Sequence, residues 1–194
     1  MARTASVSRR TRETDITVSL DLSGGEVSVQ TGIGFFDHML TALGVHGGFG
    51  LKICAKGDLE VDCHHTIEDT GIVLGTAFRQ ALGDRAGISR YGSFYIPMDE
   101  ALAFCAVDIS GRPFTVCEAD FSEERCGGFD TCMTEEFFRA FAQNAGMTLH
   151  VRCLYGKNAH HMIEAMFKAV AHALRAAVTP TESGKALSTK GTLE

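Results

Sequence analysis

Two short stretches carry residue types that can hold metal ions: His64-His65-Thr66-Ile67-Glu68 and His160-His161-Met162-Ile163-Glu164. On an α-helix, residues four apart lie about 40° apart around the axis, so His64 with Glu68, and His160 with Glu164, can each grip one cation. Adjacent histidines project about 100° apart, so the second histidine of each stretch points elsewhere. Each stretch therefore serves two ions, and the expected arrangement is crossed: one ion takes His64, Glu68 and His161, the other His160, Glu164 and His65. His38, in the helical run Phe35-Phe36-Asp37-His38-Met39-Leu40, and His150, in the strand-like Leu149-His150-Val151, are the natural additional ligands. Imidazole and carboxylate without thiolate favour Mn²⁺, Fe²⁺ or Zn²⁺, and a site with room beyond its protein ligands suits six-coordinate Mn²⁺ better than tetrahedral Zn²⁺. The expected complement is two Mn²⁺ per chain. His46 and His172 are expected to be structural.

These side chains need rigid carriers. Residues 15–22 and 25–30 alternate apolar and polar, and Ser23-Gly24-Gly25 between them predicts a hairpin, preceded by a strand near 6–12. Phe35, Phe36, Met39, Leu40 and Leu43 recur at helical spacing, a strand follows at 50–55, and a helical pattern runs from about His64 to Leu82. From Tyr91 the order returns: strands near 91–97, 101–109 and 113–119, a helix around Glu135 to Ala145, a strand at 147–153 and a helix from about His160 to Val178. The chain reads as an internal duplication, an α+β fold of two tandem βββαβα halves, residues 1–90 and 91–178, with a flexible polar tail at 179–194. Phe35-Phe36 is matched with Phe137-Phe138, and the tetrads stand 96 residues apart, His64 to His160. Residues 121–133, rich in charge, Gly and Cys, are expected to be a loop inserted into the second half.

Composition narrows the function further. With 194 residues, 45% of them hydrophobic and 22% charged, the chain can bury a substantial core. A net charge of -6 and scattered Lys and Arg give no basic face for nucleic acid, so a small solute or another protein chain is the expected partner. The seven cysteines are odd in number, never spaced Cys-x-x-Cys, and mostly sit in apolar runs, as core thiols of a reducing compartment do. No run approaches the ~20 apolar residues of a membrane helix, and the start lacks a signal peptide's apolar stretch, so the expected location is the cytoplasm.

The residues Arg10-Thr11-Arg12-Glu13-Thr14, Gly34-Phe35-Phe36-Asp37-His38-Met39-Leu40, His64-His65-Thr66-Ile67-Glu68-Asp69, Ile96-Pro97-Met98-Asp99-Glu100, Ser110-Gly111-Arg112-Pro113 and Gly156-Lys157-Asn158-Ala159-His160-His161 follow one another as in a known family. With them the chain resembles imidazoleglycerol-phosphate dehydratase, the histidine-pathway enzyme, over nearly its whole length. The resemblance implies a Mn²⁺-dependent hydro-lyase whose ligands are His38, His64, His65, Glu68, His150, His160, His161 and Glu164. It implies two halves of the ribosomal protein S5 domain 2-like kind, each a four-stranded sheet backed by two helices, and trimers assembled into a 24-subunit particle with metals at subunit contacts. It points to Arg90, Arg112, Lys168, Ser188 and Lys190 for the substrate phosphate, and to Glu13 and Asp99 as substrate contacts. Lys168 lies one helical turn past Glu164, and Arg112 follows Gly111 at a turn, positions that suit anion binding independently.

The expected reaction is dehydration of D-erythro-imidazole-glycerol phosphate to imidazole-acetol phosphate, with a dinuclear Mn site binding the substrate as its imidazolate. Glu13 is the expected base that takes the C–H proton, while Glu68 and Glu164 act from the metals. A dinuclear phosphate-ester hydrolase and a metal-storing shell are the competing readings of the same residues. Retention of the phosphate ester separates the first, and turnover the second.

Overall fold

In the computed structural model, which describes residues 3–193, the alternating segments form strands and the helical-period segments form helices in the expected order. The first half comprises β1 (Thr4–Arg10), β2 (Thr14–Asp21), β3 (Val27–Gln30), α1 (Gly34–Gly47), β4 (Gly50–Gly57) and α2 (His64–Leu82). In the second half β5 (Tyr91–Met98), β6 (Ala101–Asp108) and β7 (Phe114–Glu118) are followed by a small hairpin, β8 (Arg125–Cys126) and β9 (Phe129–Asp130). α3 (Met133–Ala145), β10 (Thr148–Tyr155) and α4 (Ala159–Ala177) complete it. The α+β class and the two similar halves are as the sequence predicts. No helix among the described residues is long and apolar enough to cross a membrane.

Strand pairing departs from the expectation at one point. The sheets run β1-β2-β4-β3 and β5-β6-β10-β7, so β2 pairs with β1 and β4, and β3 lies parallel to β4 at the edge. Residues 15–22 and 25–30 are therefore not a hairpin. Gly24 and Gly25 have φ of +116° and +144°, and a Cβ on Gly25 would stand 3.2 Å from the Cα of Gly50. There the chain leaves β2, and β3-α1-β4 becomes a crossover that places β4 in the gap.

The duplication also has a different register from the one that paired phenylalanines suggest. The buried positions of α1, Phe36, Met39, Leu40, Ala42, Leu43, Gly44 and Gly47, all fall on buried positions of α3 98 residues on, from Thr134 to Ala145. Phe137-Phe138 is thus the counterpart of Met39-Leu40, not of Phe35-Phe36, because the core selects burial rather than aromatic identity. The earlier strands repeat 87 residues apart, Thr14 to Ala101, and the difference is the segment carrying β8 and β9. That segment is pinned by Phe129, which is fully buried against Phe35 and Phe36 with ring centroids 5.3 and 5.8 Å apart.

The helices join the halves into one core. α2 packs on β1 and β2 and α4 on β5 and β6, while α1 lies against α4 and α2 against α3. Beyond α4 the chain turns back: Pro180 bridges to Ile88, Arg90 donates to the Leu187 carbonyl at 2.6 Å, and Arg85 to that of Leu193 at 2.8 Å.

Gly92 sets the approach of β5 to α4, because a Cβ there would lie 1.9 Å from the Ala173 carbonyl oxygen and 3.1 Å from the Ala177 nitrogen. Gly92→Ala must push strand and helix apart and is expected to cost about 3 kcal/mol, at the upper end for overpacking. Urea unfolding measures it, and an unchanged midpoint contradicts the close approach.

Candidate metal centre

The second tetrad gathers a third donor from α1. Among the described residues, His38, His160 and Glu164 bring their donor atoms within 4.8 Å of one another. Oε2 of Glu164 lies 3.2 Å from Nε2 of His160 and 3.4 Å from Nε2 of His38. Adjacent ligands of a six-coordinate ion, each about 2.1 Å from it, stand roughly 3 Å apart, so the three donors fit one divalent cation. The other oxygen, Oε1, is held by the Lys168 ammonium at 2.7 Å. Burial pushes the Glu164 carboxyl up, but Lys168 and His38 outweigh it and the net displacement is downward. Phe35 meets His160 edge-on with centroids 5.0 Å apart, so the buried Phe129 supports the site through Phe35.

The order of α4 favours this aim. Asn158 caps the helix, its side chain accepting from the backbone N–H groups of His160 and His161 at 2.9 and 3.4 Å. His161 turns the other way, donating from Nδ1 to Oε2 of Glu100 at 2.7 Å, with Nε2 3.7 Å from Asp99. The Glu100 contact raises the His161 pKa, and the same contact, with backbone donors from Asn158 and Lys157, lowers Glu100 to about 2.

The first tetrad has the same spacing but, among the described residues, gathers no third donor. Nε2 of His64 is 3.6 Å from Oε2 of Glu68. His65 places Nδ1 3.0 and 3.1 Å from the two oxygens of Asp58, which raises its pKa, while its Nε2 stands 3.9 Å from Glu13. Glu13 lies in the turn joining β1 to β2, its side chain 54% exposed. The turn is tied to α2 by buried Asp69, which accepts from Thr14 Oγ1 at 2.5 Å and pairs with Arg9.

His150 and the residues named for phosphate are placed elsewhere. Leu149 and Val151 of β10 face the core, so alternation puts His150 on the exposed face of its sheet, and the structure brings it to neither tetrad. In the duplication register the position of His38 is taken in α3 by Glu136, which pairs with Arg139. Gly71 and Gly75 of α2 run against the Phe137 and Phe141 carbonyls, which seats α2 closely on α3.

Arg90, Arg112, Ser188 and Lys190 line a cavity of about 770 Å³ under the C-terminal tail. Arg90 is buried, gripped by Asp108 at 2.7 and 3.0 Å, whereas the Arg112 side chain is 62% exposed. Lys168 and Asp99 are not in this cavity but beside the second tetrad. β5 separates the two groups: Arg90 precedes its first residue and Asp99 follows its last, a span of about 25 Å for eight extended residues.

Comparison with known proteins agrees on one family. The family model described as Imidazoleglycerol-phosphate dehydratase matches residues 31–174. An imidazoleglycerol-phosphate dehydratase of Clostridium botulinum is 56% identical over 191 residues, covering 97% of each chain. One of Methylorubrum extorquens is 56% identical over 98% of this chain and 100% of its own. A crystal structure of the Staphylococcus aureus imidazoleglycerol-phosphate dehydratase superposes with a TM-score of 0.84 at 43% identity, covering 92% of this chain and 99% of that one.

Asp69 connects the Glu13 turn to the first tetrad, so its loss tests that link. Asp69→Ala strands Arg9 and the buried Thr14 hydroxyl and is expected to cost about 2–3 kcal/mol of unfolding free energy. Chemical denaturation reads it, and a cost below about 0.5 kcal/mol, the range of a plain surface change, contradicts it.

Proposed function

Because the chain belongs to the imidazoleglycerol-phosphate dehydratase family, hydro-lyases of a dehydration step in histidine biosynthesis, we propose that it converts D-erythro-imidazole-glycerol phosphate to imidazole-acetol phosphate. The observation that carries this is the meeting of His38, His160 and Glu164 at metal-ligand spacing. The proposal assigns two Mn²⁺ to each chain in a crossed arrangement, one with His160, Glu164 and His65 joined by His38, the other with His64, Glu68 and His161. His150, on the exposed face of its sheet, is kept as a further ligand supplied across a chain contact. Bound there, divalent ions would act as Lewis acids that ease ionisation of the substrate's imidazole ring.

The chain's own residues supply the rest. Glu13 takes the proton from the side-chain carbon, the hydroxyl on the neighbouring carbon next to the ring departs, the captured proton and that hydroxide together make up the water released, and the resulting enol becomes the ketone. Glu13 suits this because it is exposed beside His65 at 3.9 Å, whereas Glu100, its counterpart in the second half, is committed to His161 and two backbone N–H groups. Glu68 and Glu164 serve the metals. Arg112, with Arg90, Ser188 and Lys190, receives the phosphate, while Lys168 and Asp99 bind substrate beside the second tetrad.

The distance between these groups bears on assembly. An imidazole joined to a three-carbon phosphate ester is far shorter than the roughly 25 Å length of β5, so one chain's cavity and its second tetrad cannot hold one substrate molecule. We therefore assign the complete site to neighbouring chains of a homo-oligomer, for which the trimer-built 24-subunit particle is the expected form, working in the cytoplasm.

Mn-loaded protein given imidazole glycerol phosphate is expected to release one water per turnover with the phosphate ester intact, read by mass spectrometry. Free phosphate as the product would point to hydrolysis instead. Glu13→Gln is expected to lower turnover by about 10² to 10⁴ with metal content unchanged, as for a lost general base. Near-parental turnover would remove Glu13 from that role.

A further inference from the structure

Two of the four tetrad histidines are held from behind. His65 and His161 each turn Nδ1 to a carboxylate, Asp58 in one case and Glu100 in the other, while His64 and His160 face only their own helix's glutamate, four residues on, and His38 in the second case. An ionised carboxylate has no proton to give, so the ring must donate from Nδ1, and a neutral ring then keeps its lone pair on Nε2. In both rings Nε2 is the atom directed away from the supporting carboxylate.

The two supports are not copies of each other. Asp58 follows β4, and the equivalent position after β10 is Gly156, where a Cβ would stand 2.4 Å from Met162 Cγ and 3.0 Å from Ala101 Cβ. No carboxylate fits there. Glu100 comes instead from the β5–β6 turn, where its counterpart in the first half, Glu13, contacts Nε2 rather than Nδ1 of His65. The same ring nitrogen is thus engaged from two unrelated positions after the halves diverged. Glu100 is itself fixed, its Oε1 accepting from Lys157 and Asn158 N–H at 3.1 and 2.9 Å.

We propose that Asp58 and Glu100 are positioning residues that fix the Nδ1–H tautomer of His65 and His161, so that both rings present Nε2 as metal donors. The proposal rests on the metal-binding reading above. An Asn at 58 can still accept from Nδ1–H through its carbonyl, whereas Ala leaves the ring free to turn and to exchange tautomers. Mn²⁺ titration of the metal-free full-length protein, followed by the electron paramagnetic resonance of free Mn²⁺, gives the affinity of each class of site. Asp58→Ala and Glu100→Ala are each expected to weaken one class by 10- to 100-fold, the usual effect of losing such a support, while Asp58→Asn stays within a few-fold of the parent. Circular dichroism of the metal-free variants is expected to match the parent. Parental affinity in both Ala variants, or Asp58→Asn as weak as Asp58→Ala, overturns the tautomer role while leaving the metal site standing. A parent protein that takes up no Mn²⁺ overturns both readings.

Discussion

Glu164 is a buried carboxylate at the start of a helix, only 6% exposed, and such a group persists in charged form only when both its oxygens are satisfied. Its own helix supplies His160 and Lys168, one turn to either side, but the remaining partner must come from another element. His38 does so because α1 lies along α4, and α1 takes that place because β3-α1-β4 is a crossover between parallel strands. The pairing that defeats the expected hairpin is thus the one that carries His38 to its site. Close packing of β5 on α4 at Gly92 then anchors the helix whose first turn bears the ligands.

Much of this was legible in the residues. The His-His-x-x-Glu spacing placed His160 with Glu164, and His64 with Glu68, because four residues along a helix is a local rule. Strand and helix order followed from periodicity for the same reason. What failed was non-local. Nothing local to residues 15–30 says that β4 will enter between β2 and β3. The match of Phe35-Phe36 to Phe137-Phe138 compared aromatic identity, while the core compares burial, and Met39-Leu40 fills the corresponding space. Glu100 carried no assigned role in the sequence because only the folded chain brings it to His161.

The two halves have diverged unequally. The second tetrad draws its third donor from within the chain, while the first stands open beside an exposed Glu13. The arginine-lined cavity under the tail sits at the far end of β5 and α4 from the second tetrad. Under the proposed function the chain presents the parts of one site at separate places on its surface, to be joined when copies meet. On that proposal, specificity for an imidazole phosphate would depend on how the metal ligands of one chain are spaced from the arginines of another.

That central claim is open to a direct measurement. Chains carrying Arg112→Ala and chains carrying Glu164→Gln, each expected to be strongly impaired alone, are dissociated, mixed in equal amounts and reassembled with Mn²⁺, and their turnover of imidazole glycerol phosphate is compared with the unmixed variants. If one chain supplies the arginine and another the glutamate, mixed assemblies contain sites with both intact, and turnover recovers to about a quarter of the parental value for random mixing of two independent contributors. Turnover that stays at the level of the separate variants, in assemblies shown by native mass spectrometry to be mixed, contradicts a site shared between chains.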